Sequence, residues 1–114
     1  MRLGVTDHID CAHLLPGHPK CGQLHGHTYR VELTVEGEAR AGMLLDFAEL
    51  KAQLRDVLAR YDHRHWNDFI DYPTVENISE RLADEIATVL AFPFTVRVHE
   101  GHAKWAETGR SPRR

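Results

Sequence analysis

The amino-acid sequence predicts an α+β domain in which two helices cover one face of a four-stranded antiparallel sheet. Apolar and polar residues alternate in two stretches near the N-terminus and in a third near the C-terminus, which is the pattern of half-buried strands. Between them lie two stretches with apolar residues at helical spacing. The resulting order, strand–strand–helix–helix–strand–strand (ββααββ), is typical of an antiparallel sheet with its helices on one face.

Each predicted strand has one apolar face. In the first strand, over residues 3–13, the odd-numbered positions are mostly apolar, so we expect the odd face to point inward. A loop rich in proline and glycine follows at residues 16–19, and a second strand of the same parity covers about residues 25–36. A third strand contains Phe94, Val96 and Val98, and a short fourth strand is expected around residues 103–107.

The two helices have recognisable starts. Asp46 can cap the first helix, which we expect to end at Asp62-His63. Thr74, directly after Pro73, can cap the second helix. The apolar stripes that would face the sheet are Phe47, Leu50, Leu54, Val57, Leu58 and Tyr61 in the first helix, and Val75, Ile78, Leu82, Ile86, Val89 and Leu90 in the second.

Length and charge limit the classes of function. One domain accounts for 114 residues, and we expect it to cover residues 1–109, with a short frayed basic tail at residues 110–114. The net charge of −3 argues against a nucleic-acid coat or a membrane-surface protein. The sequence has no long apolar run that would span a membrane. Acidic residues come too early for a secretory signal, so we expect a cytoplasmic location.

Three histidines share the inward parity. His25 and His27 are two residues apart on the second strand, so their imidazoles lie on one face, and His13 ends the inward face of the first strand. If these strands pair around their connecting loop, the three imidazoles converge. Three neutral histidines suit zinc and leave a fourth position open, as in catalytic sites. A His-Gly-His motif alone is more often a pair of surface histidines, but the matching parity of His13 favours a zinc site.

Cys21 and the Asp62-His63 pair are candidates for proton transfer. Cys21 lies four residues before His25, where it could be a fourth metal ligand, a buried thiol or a nucleophile or base. A nearby zinc ion and Lys20 would both favour its thiolate form. Asp62 could orient His63 and raise its basicity. The alternative for this pair is a solvated helix end, in which His63 only complements the helix dipole.

Glu100 and Thr74 have weaker individual signals. Glu100 continues the apolar face of the third strand, where an inward carboxylate needs a partner such as a ligand with two guanidine-like N–H donors. The alternative is that the strand has already ended before Glu100. For Thr74, helix capping alone is a sufficient explanation.

These motifs together resemble one family over most of the chain, from about Cys11 to Glu100. The chain looks like the 6-pyruvoyl-tetrahydropterin synthase superfamily, and within it the 6-carboxytetrahydropterin synthases of deazapurine (queuosine-type) biosynthesis. The motifs that carry the resemblance are Cys11-Ala12-His13, Cys21 to His27, Gly42 to Lys51, Tyr61-Asp62-His63 with Asn67, Pro73 to Asn77, and Val98-His99-Glu100.

The resemblance implies a tunnelling fold and an oligomer. In that fold three chains close their sheets into a barrel, two trimers stack into a hexamer, and active sites lie between subunits. The resemblance implies one zinc per subunit on His13, His25 and His27. It also implies that Cys21 transfers protons together with an Asp62-His63 pair from a neighbouring subunit. Substrate-binding roles fall to Glu100, as the anchor of the pterin ring, and to Thr74.

The implied reaction acts on 7,8-dihydroneopterin triphosphate. The products would be 6-carboxy-5,6,7,8-tetrahydropterin, acetaldehyde and triphosphate, with no external redox cofactor. Three residues between Cys21 and His25 resemble the 6-carboxy branch, because the pyruvoyl-forming branch typically has a longer spacer. Two alternatives stay open: a 6-pyruvoyl-tetrahydropterin synthase, and a non-catalytic module in which Cys21 closes a structural zinc site.

Overall fold

A single antiparallel sheet with two helices forms the structure, a computed structural model that describes residues 1–113. The predicted ββααββ order and fold class are confirmed. The strands are β1 (Arg2–His13), β2 (His25–Glu36), β3 (Phe94–Glu100) and β4 (Lys104–Arg110), and the helices are α1 (Phe47–Leu58) and α2 (Val75–Ile86), with a short 3₁₀ helix at Trp66–Asp68. Within residues 1–113, neither helix is long and apolar enough to cross a membrane.

The strands follow one another in the sheet in chain order, and their register sets the position of the candidate site. His13 pairs with His25 and Cys11 with His27 across β1 and β2. On the next ladder Tyr29 pairs with Glu100. The end of β1, the start of β2 and the end of β3 therefore meet at one end of the sheet.

The hydrophobic core lies between the two helices and one face of the sheet, as the alternation predicts. That face carries the odd-numbered residues of β1 and β2 and the even-numbered residues of β3. Helix α1 packs on β1, and α2 packs on β3 and β4. Between the helices, the buried rings of Tyr61 and Trp66 stack with their centroids 4.7 Å apart. The largest fully buried aliphatic side chains are Ile9, Leu33, Leu50, Leu54, Leu58, Ile78, Leu82, Ile86 and Leu90.

The predicted helix starts are confirmed, whereas the predicted end of α1 is wrong. The Asp46 carboxylate accepts the N–H of Ala48 at 2.7 Å, and the Thr74 hydroxyl accepts the N–H of Asn77 at 3.2 Å. Helix α1 ends at Leu58, and the chain turns over residues 59–64. Asp62 and His63 therefore lie in a turn and not at the helix end.

The C-terminal residues are held more firmly than a frayed tail would be. Strand β4 includes Arg110, whose guanidinium reaches the carboxylates of Glu80 and Asp84 on α2. Arg113 donates its backbone N–H to the Ala87 carbonyl at 3.1 Å and its guanidinium to Asp84 at 3.1 Å. The predicted start of a frayed tail at residue 110 is therefore corrected, because Arg110 belongs to β4 and both arginines bond to acidic side chains of α2. Arg114 lies outside the described residues.

Candidate metal centre and active-site cleft

His13, His25 and His27 converge at the end of the sheet. One ring nitrogen from each lies within 4.8 Å of the others, and the ring centroids are 4.6 to 5.1 Å apart. The convergence follows from the register, because His13 and His25 are paired across the ladder and His27 is the next residue on the same face. The predicted meeting of three imidazoles is therefore what the fold produces.

Backbone carbonyls orient two of these rings. The Nδ1–H of His13 donates to the Pro73 carbonyl and that of His25 to the Gln23 carbonyl, each at 2.7 Å. Such bonds place the hydrogen on Nδ1 and leave the Nε2 lone pair free, which is how metal-ligating histidines are usually held. The Nε2 atoms of His13 and His27 are buried without a hydrogen-bond partner among residues 1–113.

Burial keeps two of the imidazoles neutral. It lowers the pKa of His13, against the opposing effects of the Pro73 carbonyl and Glu100. It also lowers the pKa of His27, where the opposing charge is again Glu100. Because only a neutral imidazole can offer a lone pair to a metal ion, orphaned Nε2 atoms on neutral rings fit a bound metal.

A cleft of about 390 Å³ opens beside the histidines. It brings Cys21 and Glu100, which are far apart in the sequence, next to His25 and His27. Cys21 is half-buried and carries a free thiol. The set of ligand atoms within 4.8 Å of one another contains the three histidines and not Cys21. This geometry favours a metal site with an open side toward the cleft over one closed by a thiolate.

Glu100 is the last residue of β3, so the alternative in which the strand stops before it is wrong. Its carboxylate is mostly buried, with Oε1 3.6 Å from Nε2 of His27 and 3.7 Å from Nζ of Lys104. The sequence reasoning missed Lys104. The hairpin pairing of Glu100 with Lys104 would have located it, because a tight β3–β4 turn places these two residues opposite each other.

Asp62 and His63 form a pair at the outer edge of β1. His63 Nδ1 lies 3.0 Å from Asp62 Oδ1, and its backbone adopts a positive φ of 62° while its N–H donates to the Asp10 carbonyl at 2.7 Å. Asp62 accepts the Asp10 N–H at 3.0 Å and an Arg55 N–H at 3.2 Å. The Asp10 N–H, followed by the charges of His63 and Arg55, lowers the pKa of Asp62.

This pair does not reach the histidine cleft within one chain. The His63 side chain is 78% exposed, and it borders a separate depression that is also lined by Asp10, Thr28 and His27. Neither Asp62 nor His63 lines the cleft that contains Cys21 and Glu100. Thr74 is also outside the lining of that cleft, although its neighbour Pro73 holds His13.

Comparison with known proteins gives the same fold and one family. The family model described as 6-pyruvoyl tetrahydropterin synthase matches residues 2–111. A solved structure of 6-pyruvoyl tetrahydropterin synthase from Caenorhabditis elegans has a TM-score of 0.87 at 22% identity, covering 97% of this chain and 96% of that chain. Likeness at that level of identity shows the tunnelling-type fold alone.

Two relatives in sequence have more specific names. A protein of Archaeoglobus fulgidus, provisionally named 6-carboxy-5,6,7,8-tetrahydropterin synthase, is 40% identical over 111 residues, which is 96% of each chain. The dihydroneopterin monophosphate aldolase of Pyrococcus furiosus is 42% identical over 64 residues, which is 56% of each chain. Since the family model spans nearly all of the sequence, this chain belongs to the 6-pyruvoyl tetrahydropterin synthase family.

Proposed function

We propose that the protein is a zinc-dependent 6-carboxy-5,6,7,8-tetrahydropterin synthase. Its substrate would be 7,8-dihydroneopterin triphosphate, and its products 6-carboxytetrahydropterin, acetaldehyde and triphosphate. The observation that carries the proposal is the cleft in which Cys21 and Glu100 flank two histidines of the metal cluster. The product would enter deazapurine biosynthesis.

Zinc is the metal that best suits three imidazoles with one open side, and His13, His25 and His27 would hold it. When bound, zinc supplies Lewis acidity that makes the hydroxyl protons of the substrate side chain easier to remove. The chain contributes the orientation of the rings, since the Pro73 and Gln23 carbonyls hold two of them with Nε2 facing inward.

Cys21 and His63 would move the protons. The half-buried thiol of Cys21 lies on the cleft wall, within reach of a substrate held there. His63 is oriented by Asp62 but lies off this cleft, so in our proposal it completes the site of a neighbouring subunit in a hexamer built from two trimers. Each active site would then contain residues of more than one chain.

Glu100 would anchor the pterin ring. Its two carboxylate oxygens can accept two parallel N–H bonds from the guanidine-like edge of a pterin. Its present neighbours, His27 and Lys104, lie at 3.6 and 3.7 Å, which are longer than hydrogen bonds, so its acceptor positions are available to a ligand. Thr74, which caps the start of α2, would also contact the substrate.

The choice of branch rests on a spacing and on a relative. Three residues separate Cys21 from His25, as in the 6-carboxy branch. The Archaeoglobus relative, whose provisional name is that of the 6-carboxy enzyme, matches 96% of this chain. The Pyrococcus relative is named as an aldolase of dihydroneopterin monophosphate, so the monophosphate belongs in the same assay as a second substrate.

The test is to incubate the zinc-loaded protein with 7,8-dihydroneopterin triphosphate or monophosphate and to identify the products by mass. We expect 6-carboxytetrahydropterin and acetaldehyde from the triphosphate. A pterin that retains the whole carbon side chain would instead identify a pyruvoyl-forming enzyme, and cleavage of the monophosphate would identify an aldolase. No turnover of either compound would favour the non-catalytic zinc module.

The two cysteines serve as matched controls in this assay. Cys11 donates its thiol to the Tyr61 carbonyl at 3.1 Å, and burial raises its pKa to about 11. Cys21→Ala should keep its fold and zinc while turnover falls by roughly 10²- to 10⁴-fold, the usual effect of losing a proton-transfer group. Cys11→Ala should keep most of its activity. Loss of zinc from Cys21→Ala would show instead that Cys21 is a ligand.

A further inference from the structure

The loop that carries Cys21 is closed at its base by backbone and side-chain hydrogen bonds. It joins β1 to β2 over residues 14–24. The side-chain amide of Asn67 holds both backbone groups of Leu14, accepting its N–H at 3.0 Å and donating to its carbonyl at 2.9 Å. The N–H of Leu15 then donates to the Cys21 carbonyl at 2.7 Å. The backbone carbonyl of Cys21 is therefore hydrogen-bonded to the base of the loop.

The imidazole of His18 binds the other backbone group of Cys21, its N–H. Its Nδ1 accepts the N–H of Cys21 at 2.9 Å and the N–H of Lys20 at 3.2 Å. An accepting Nδ1 requires the neutral tautomer that carries its hydrogen on Nε2. Pro19, between His18 and Lys20, has no N–H and favours the start of a turn. The N–H groups of Lys20 and Cys21 then face the His18 ring. Asn and Asp side chains make the same kind of bond to backbone N–H groups two and three residues ahead.

The backbone also closes tightly around His18. A Cβ at Gly22 would lie 2.6 Å from the His18 carbonyl oxygen, a distance at which one of the two segments must move. The close approach of His18 to residue 22 therefore requires a glycine, because any side chain at this position would displace the backbone.

We propose that His18 is a positioning residue for the Cys21 thiol. Both backbone groups of Cys21 are engaged, the N–H by His18 and the carbonyl by Leu15, so the direction of its Cα–Cβ bond is set. That direction places the side chain on the wall of the cleft with His25, His27 and Glu100. The inference rests on the proposed function. In it, His18 aligns the thiol of Cys21, the proposed proton-transfer group, and transfers no proton itself.

Three variants separate alignment from general stabilisation of the loop. His18→Ala removes the acceptor. His18→Asn restores an acceptor at nearly the position of Nδ1, because the Asn carbonyl oxygen is the same number of bonds from the backbone. His18→Gln is similar in size and carries the same amide group as His18→Asn, but the amide lies one carbon further from the backbone. Zinc content and melting temperature are measured for each variant to confirm that the fold persists.

Three measurements apply to each variant. Amide hydrogen exchange of Lys20 and Cys21 reports the two hydrogen bonds directly. The rate at which iodoacetamide alkylates Cys21 reports how well the half-buried thiol is held in the cleft, without any need for turnover. Steady-state kinetics with the substrate identified in the product assay separate kcat from KM.

In His18→Ala and His18→Gln we expect faster exchange at both amides and alkylation of Cys21 at least about threefold faster, with kcat lower by roughly ten- to a hundredfold and KM within about twofold. His18→Asn should return all three measurements to near wild-type values. Wild-type kcat in His18→Ala despite lost amide protection would overturn the proposal, as would a folded His18→Asn no better than His18→Ala. If the wild-type protein turns over no pterin, the proposed function fails, and the alkylation rates decide the positioning of Cys21 alone.

Discussion

At the scale of single residues, the proposed metal centre uses the two nitrogens of an imidazole differently. In His13 and His25, Nδ1 is used for a backbone carbonyl, and only Nε2 remains for a ligand. His27 has no such bond among the described residues, and its ring is packed edge-on against His13 and Tyr29 instead. Packing against neighbouring rings therefore orients the His27 imidazole, whereas backbone carbonyls orient the imidazoles of His13 and His25.

This arrangement predicts the effect of losing one imidazole. His27→Ala should weaken zinc binding by at least about a hundredfold, since removing a ligand costs more than removing the group behind it. His102→Ala is the matched control, because His102 is an exposed histidine in the turn between β3 and β4. Zinc bound per chain is measured after dialysis against a graded chelator. Equal zinc retention by both variants would exclude the three-histidine site.

The convergence of these histidines could be predicted from the sequence because side-chain parity is a local property. The spacing of His25 and His27 and the position of His13 on an odd-numbered face predict it, provided that the two strands pair around their connecting loop. The carbonyls that orient the rings could not be predicted. Pro73 reaches His13 across 60 residues of sequence, and such a contact depends on how α2 packs against the sheet.

At the scale of elements, the start of α2 links the stability of the helix to the proposed metal centre. Thr74 caps the N-terminus of α2, with its hydroxyl accepting the N–H of Asn77. The carbonyl of the preceding residue, Pro73, accepts the Nδ1–H of His13. A frayed first turn would therefore loosen the support of a proposed metal ligand. The cap has this second effect whether or not Thr74 also touches substrate.

Removing the cap should destabilise the protein measurably. Thr74→Ala is expected to lower the free energy of unfolding by about 1 kcal/mol, the usual cost of losing a hydroxyl N-cap. Thr74→Ser keeps the hydroxyl and should stay close to the wild type. Both are measured by urea unfolding of the zinc-loaded protein. Equal stability of the two variants would mean that the bond to Asn77 contributes nothing.

The elements also show where pattern reasoning stops. Strand positions were predicted well because alternation persists along the whole strand, as in β1 and β2. The end of α1 was placed too late because Tyr61 continues the apolar spacing. Its ring does enter the core, but from a turn in which the N–H groups of Tyr61 and Asp62 both bond to the Leu58 carbonyl. Apolar periodicity alone cannot distinguish a last helical turn from such a turn.

At the scale of the whole molecule, the sheet has two outer edges that differ. The edge of β1 is partly occupied, because residues 63–65 pair with it near Ala12. The outer edge of β4 has no strand beside it among residues 1–113. An open edge exposes unpaired backbone N–H and C=O groups, and proteins usually cover such edges or pair them. Pairing of β4 with β1 of another copy would close successive sheets into a ring, as in the proposed trimer.

The separation of the proposed catalytic groups leads to a test of this assembly. Cys21 faces the histidine cleft, while Asp62 and His63 lie at the β1 edge where a second chain would dock. If each site takes Cys21 from one subunit and His63 from another, two inactive variants can complement each other. Cys21→Ala and His63→Ala should each lose most of their activity when assembled alone.

When the two variants are co-assembled in equal amounts, about a quarter of the sites should draw both intact residues from different chains, so activity should return to about a quarter of the wild-type value. Native mass spectrometry should give an assembly near six times the 13.1 kDa chain mass. A mixture prepared without subunit exchange is the control and should stay inactive. Mixed assemblies that remain as inactive as their parents would show that Cys21 and His63 act within one chain. Wild-type activity of His63→Ala assembled alone would show that His63 takes no part in the reaction. Either result would reject the shared site.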